Sequence, residues 1–124
     1  TWPLMDGDFI PSGLLSMTPW WVNISENITT VQFNHRMTAY ALLAMVVWHT
    51  WVIWRSADDE RVITSALIVL AGVTLQASLG IWTLLAAGQA GHIPIGHGLV
   101  HQGGAAVVLA LTVWHIHRLY RAVA

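Results

Sequence analysis

Tyr40-Ala41-Leu42-Leu43-Ala44-Met45-Val46-Val47-Trp48 contains no charge and no helix breaker. It is the middle of an apolar run over residues 29–54, long enough to cross about 30 Å of hydrocarbon at ~1.5 Å per residue. A short charged turn follows, Arg55-Ser56-Ala57-Asp58-Asp59-Glu60-Arg61. A second apolar run covers 62–87, and Gly88-Gln89-Ala90-Gly91-His92-Ile93-Pro94-Ile95-Gly96 reads as a loop. A third run covers 97–124, its apolar part ending near Tyr120. Short connections make successive helices antiparallel neighbours. The expected fold is an all-α integral membrane protein with three antiparallel transmembrane helices. Residues 1–28 hold three of the four prolines and Trp20-Trp21, and read as an ordered outer loop. Its Leu14-Leu15, Met17 and Trp20-Trp21 either lie among lipid headgroups or pack on other helices.

Composition requires the same solvent. Of 124 residues, 9% are Asp, Glu, Lys or Arg and 56% are apolar, whereas an average soluble domain is roughly 25% charged. The surface that charge would cover must face a lipid bilayer. The net charge is -1, which gives no basic patch for nucleic acid. Cysteine is absent, which excludes disulfides, thiolate metal sites and thiol catalysis. The opening residues, Thr1-Trp2-Pro3-Leu4-Met5-Asp6-Gly7, lack the pattern of a signal peptide and read like the middle of a loop. A piece of a longer protein is expected. Asn23-Ile24-Ser25 and Asn27-Ile28-Thr29 match glycosylation sequons, although helix capping or chance is the plainer reading.

Arginine sets the expected orientation. Arg55 and Arg61 flank the first turn, and Arg118 and Arg121 close the third helix. The positive-inside rule places 55–61 and the C-terminal end on the inner side, and 1–28 and 88–96 on the outer side. Arg36, near the outer end of the first helix, is the exception.

It follows His35 directly. His101 lies one turn inside the outer end of the third helix, so the two imidazoles sit at similar depth. A polar side chain in lipid is costly without a partner, and two facing imidazoles suit a six-coordinate heme. On this reading His35 and His101 are the iron ligands, Arg36 pairs with a heme propionate, and Gly103-Gly104 admit a flat macrocycle or a neighbouring helix. Gln76, in the outer half of the second helix, is a candidate hydrogen-bond partner there or forms a plain interhelical bond. Other readings stay open. Membrane histidines also bond backbone or line cavities, and a site without porphyrin would draw a third ligand from His97. His49 and His115 follow His35 and His101 by 14 residues each, a rotation of about -40° and a rise of about 21 Å. They are expected chiefly as part of an inner interfacial belt with Trp48, Trp51, Trp54, Trp114, His117 and Tyr120. The alternative is a second heme, in a diheme b-type cytochrome that transfers electrons.

Four stretches in order, Trp2-Pro3-Leu4-Met5-Asp6-Gly7, Val31-Gln32-Phe33-Asn34-His35-Arg36, Leu75-Gln76-Ala77-Ser78-Leu79-Gly80-Ile81-Trp82-Thr83-Leu84-Leu85 and His101-Gln102, resemble heme A synthase, in its proteobacterial and mitochondrial branch. The resemblance covers nearly the whole chain. It implies an oxidoreductase of eight transmembrane helices in two four-helix halves, with this chain as three helices of the C-terminal half. It implies oxidation of the C8 methyl of heme O to the formyl of heme A for terminal oxidases. It also implies heme b between His35 and His101, near Arg36, Gln76 and Gln102, relaying electrons. The N-terminal half would take the substrate heme O, so this part alone would be inactive. Heme O synthase and oxidase assembly factors become candidate partners, and the bacterial cytoplasmic membrane, or the mitochondrial inner membrane, the expected location. His97 is an extra outer histidine relative to that pattern. A structural membrane subunit without cofactor is the third function considered.

Overall fold

A computed structural model describes residues 2–123. Three long helices dominate it: α1, Ile28–Ser56; α2, Glu60–Ala90; and α3, Ile95–Val123. Each is long and apolar enough to cross a membrane, and no strand occurs among the described residues. The chain divides within α1 into two compact units, residues 1–41 and 42–124.

The first unit is a loop pinned to the start of α1. The loop opens with a tight turn in which Met5 and Asp8 exchange backbone hydrogen bonds at 2.8 and 3.0 Å. It closes with a 3-10 helix over Trp20–Ile24. Two buried asparagines organise the rest. The Asn23 side chain accepts from the Met17 amide at 2.9 Å and donates to the carbonyls of Met17 and Trp20. Asn27 Oδ1 accepts from the Thr30 amide at 3.0 Å, capping α1. Asn27 Nδ2 reaches the Gly13 carbonyl, Ser16 Oγ and Asn23 Oδ1. Asn23 is 0% exposed and Asn27 5%, so both sequon asparagines serve the loop and helix start and are not open for sugar.

The second unit holds the remainder of α1 with α2 and α3. Asp59 caps α2 by accepting from the Arg61 amide at 2.8 Å. Gly91, at φ 73°, ends α2 in the left-handed conformation that glycine adopts without strain. α2 is the buried helix, through Val62, Ser65, Ala66, Val69 and Val73. It meets α3 along a seam of small residues. A Cβ on Gly72 would lie 3.2 Å from Leu111 Cδ1, and one on Gly104 would collide with Gln76 Oε1. Gly72, Gln76 and Gly80 are spaced four apart and form one ridge of α2. On α1, the Thr50 hydroxyl reaches the Ala66 carbonyl at 3.4 Å. The helices overrun the apolar spans read from sequence by two or three residues at several ends, because caps and not hydropathy decide where a helix stops.

Candidate functional site

His101, half-buried on α3, is held from α2. Gln76 Nε2 lies 2.7 Å from the His101 carbonyl and 3.1 Å from its Nδ1. One amide thus grips both the backbone and the ring of the same residue. The ring rests over Gly80, where a Cβ would stand 2.9 Å from His101 Cε1. Real Cβ contacts do not reach that distance, so the glycine reserves the space the imidazole fills. Gln76 Oε1 is the sole buried side-chain polar atom without a partner among the described residues.

That orphaned oxygen bears on what the ring can bind. With Gln76 Nε2 donating to Nδ1, the ring proton sits on Nε2. A metal-bound imidazole instead coordinates through a bare nitrogen and donates its other N–H to an oxygen acceptor. Turning the amide about its last torsion, which exchanges two atoms of nearly equal scattering and size, sets Oε1 to accept from Nδ1–H and bares Nε2. The turn gives up the bond to the His101 carbonyl and sets two acceptor oxygens about 2.7 Å apart, so the amide must draw back from that carbonyl. In both settings the ring keeps its partner and its place over Gly80. The clamp thus holds the His101 ring over Gly80 from α2.

Gln102, next to His101, is exposed on α3. His97 is already engaged: its ring packs edge-on against Trp82 at 4.3 Å, and its carbonyl accepts from Thr83 Oγ1 at 3.3 Å. Among the described residues no group of three or more His, Asp or Glu side chains converges on a metal position.

His35 and Arg36 belong to the first unit. His35 is exposed on α1. The Arg36 guanidinium donates to the carbonyls of Leu4 at 3.2 Å and Pro3 at 3.4 Å. It borders a pocket of about 110 Å³ lined by Pro3, Met5, Phe9, Phe33, Met37 and Tyr40. The outer-side arginine therefore ties the Trp2-Pro3-Leu4-Met5 loop to α1.

At the arginine-bearing end of the second unit, the belt reading of His49 and His115 needs correction. His115 is 3% exposed. Its Nε2 lies 2.9 Å from His49 Nε2, and its Nδ1 lies 2.8 Å from Ser65 Oγ on α2. The pair is an interior hydrogen-bonded link. Trp48, Trp51, Trp54 and Tyr120 are more than half exposed, as belt residues should be. Arg118 lies 5.2 Å over the Trp114 ring, a cation–π contact. The sequence reading also passed over Gly80 and Ser65. Gly80 stands four residues after Gln76, and that ridge was the available signal.

The model of the cytochrome oxidase assembly protein family COX15-CtaA matches residues 1–113. The chain is 50% identical over 119 residues to a heme A synthase of Parvibaculum lavamentivorans, covering 96% of this chain and 32% of that protein. It is 47% identical over 115 residues to a heme A synthase of Sinorhizobium medicae, covering 93% and 30%. A heme A synthase of Rhizobium meliloti is 45% identical over the same length. The chain thus spans about a third of the length of these relatives. No solved structure matches it. With a family match running from the loop that Arg36 holds to well beyond the Gln76–His101 clamp, the chain belongs to the cytochrome oxidase assembly protein family.

Proposed function

We propose that this chain is the heme b-holding, C-terminal part of a heme A synthase, the enzyme that oxidises the C8 methyl of heme O to the formyl of heme A. The observation that carries the reading is the hold of Gln76 on the His101 ring over Gly80, a contact kept when the amide turns to accept from Nδ1–H. It supports a ring fixed in place for ligation, in a chain similar to heme A synthases along nearly its whole length. When bound, a bis-histidine b heme supplies one-electron transfer and leaves no open iron position for oxygen. His101 and His35 would hold the heme iron through their imidazole nitrogens. Gln76 sets the tautomer of His101 and the angle of its ring. Arg36 holds the loop by two carbonyls, and a guanidinium there would suit a heme propionate. Gln102 borders the same turn of α3. The substrate heme O belongs to the N-terminal half of the same protein, with heme O synthase and oxidase assembly factors as further partners. The setting is the bacterial cytoplasmic membrane, or the mitochondrial inner membrane in a eukaryote.

The diheme alternative lacks support. An iron between two imidazoles needs about 2 Å to each nitrogen, whereas His49 and His115 Nε2 stand 2.9 Å apart.

The test is a reduced pyridine hemochrome spectrum of the full-length protein in detergent, with protein quantified. Loss of one heme b per protein in both His35→Ala and His101→Ala, with the fold kept, is the expected result. Two hemes attached to this segment, one surviving each substitution, would point to the diheme cytochrome. No heme in a folded sample would leave a structural helix bundle.

A further inference from the structure

His49, His115 and Ser65 form a hydrogen-bonded chain whose direction follows the tautomer of His115. Ser65 Oγ lies 2.8 Å from the Val62 carbonyl and 2.8 Å from His115 Nδ1. A hydroxyl has one proton to give. With that proton on the Val62 carbonyl, Ser65 Oγ accepts from His115 Nδ1–H; with it on His115 Nδ1, the chain runs the other way. The first setting is the one that can take up a proton. His115 Nε2 is then bare and accepts from His49 Nε2–H across 2.9 Å. This leaves the lone pair of His49 Nδ1 at the head of the chain. Among the described residues His49 Nδ1 has no hydrogen-bond partner, and it is not among the sealed, partnerless atoms, which reduce to Gln76 Oε1. His49 is half-buried, whereas Ser65, at 0% exposure, and His115, at 3%, are closed off.

We propose that His49, His115 and Ser65 form a proton-holding site, in which His49 Nδ1 takes one proton from water at the arginine-bearing end of the helices and the two imidazoles share it. Once Nδ1 is protonated, the proton between the two Nε2 atoms can sit on either ring. When it sits on His115, the imidazolium keeps its bond to Ser65 and gains one to His49, so every N–H of the buried ring is satisfied. A second proton finds no place. It would set two N–H groups against each other across 2.9 Å and two like charges in contact. The site therefore holds one proton.

The charged and titratable groups at this end are Arg55 on α1, Asp58 and Asp59 in the turn, Glu60 and Arg61 on α2, and His117, Arg118, Tyr120 and Arg121 on α3. Asp59 is engaged with the Arg61 amide, Arg118 lies over Trp114, and His117 is exposed. None of them shares a hydrogen bond with either imidazole among the described residues. The site is separate from His101, 14 residues earlier on α3, about 21 Å along the helix, and its reading does not depend on the heme assignment.

The experiment is nitrogen-15 NMR of imidazole-labelled full-length protein in nanodiscs, titrated between about pH 5 and pH 9. Signals are assigned by difference with His49→Gln, His115→Gln and, as the exposed reference, His117→Gln. Expected at high pH is a His115 protonated on Nδ1 and bare on Nε2. Expected on acidification is uptake of one proton by the pair, with the second bound at least about tenfold more weakly. Ser65→Ala, which leaves both rings in place, should mix the His115 tautomers and weaken uptake of the first proton. A pair that stays neutral throughout would overturn the proposal in favour of a passive interhelical clamp. Two independent protonations, each like that of His117, would overturn it as well.

Discussion

Gly80 and Gln76 set the position of His101 between them, one by what it lacks and the other by what it grips. Gly80→Ala places a Cβ 2.9 Å from the ring, so the imidazole must shift. Gln76→Leu keeps the volume and removes both hydrogen bonds. Substitutions that loosen a ligand in this way weaken metal retention by about 10- to 100-fold. Both variants should therefore retain less heme in a dilution or apomyoglobin-transfer assay on the full-length protein, with helix content unchanged by circular dichroism. Retention equal to wild type in both would show that the clamp does not serve the cofactor. Gln76 and His101 stand out in the sequence as polar residues within apolar spans, and the structure brings those two together. Gly80 shares the ridge of Gln76, four residues after it, but that spacing does not say which facing side chain needs the room. His115 was seen and assigned to the wrong surroundings. Interfacial belts and polar interiors draw on the same residue types, and only Ser65 on a different helix separates the two.

The helices themselves were legible from apolar length, but their ends were not. α2 begins at Glu60 because Asp59 caps it, and persists to Ala90 because Gly91 turns the chain. Neither event leaves a trace in hydropathy. The start of α1 depends on Asn27, whose cap also ties Gly13, Ser16 and Asn23. Loss of such a cap alone costs about 1 kcal/mol, and each further buried bond about 1 kcal/mol more. Asn27→Ala should free the outer loop before it affects α2 and α3. Limited proteolysis within residues 8–26 should accelerate while the α2–α3 region stays resistant. Uniform acceleration along the chain would refute a local role for Asn27.

For the molecule in its membrane, five arginines and no lysine carry all the fixed positive charge, and four of the five lie at one end of the helices. The absence of cysteine makes the resulting orientation simple to test. Single cysteines at Ser56 and Gln89, both exposed, should react with a membrane-impermeant maleimide from opposite sides of oriented vesicles, Ser56 from the inner side. Labelling of both from one side would overturn the orientation. α1 and α3 carry large exposed apolar side chains, including Met45, Trp48, Trp51, Leu109 and Val113, whereas α2 is the buried member of its unit. Which of those faces meet lipid and which meet the remaining two-thirds of such proteins is not written in a pattern of apolar residues, since lipid and a neighbouring helix ask for the same side chains.

The seam between α2 and α3 has an evolutionary consequence. Gly104 gives its volume to the amide of Gln76, and Gly80 gives its volume to the ring of His101. Each glycine and its long neighbour thus share a fixed allowance of space. A lineage can enlarge position 104 only by shortening position 76 with it, and position 80 is tied in the same way to the ring at 101. Drift at these sites must proceed in pairs, so the seam passes on a relation between residues and not merely their identities.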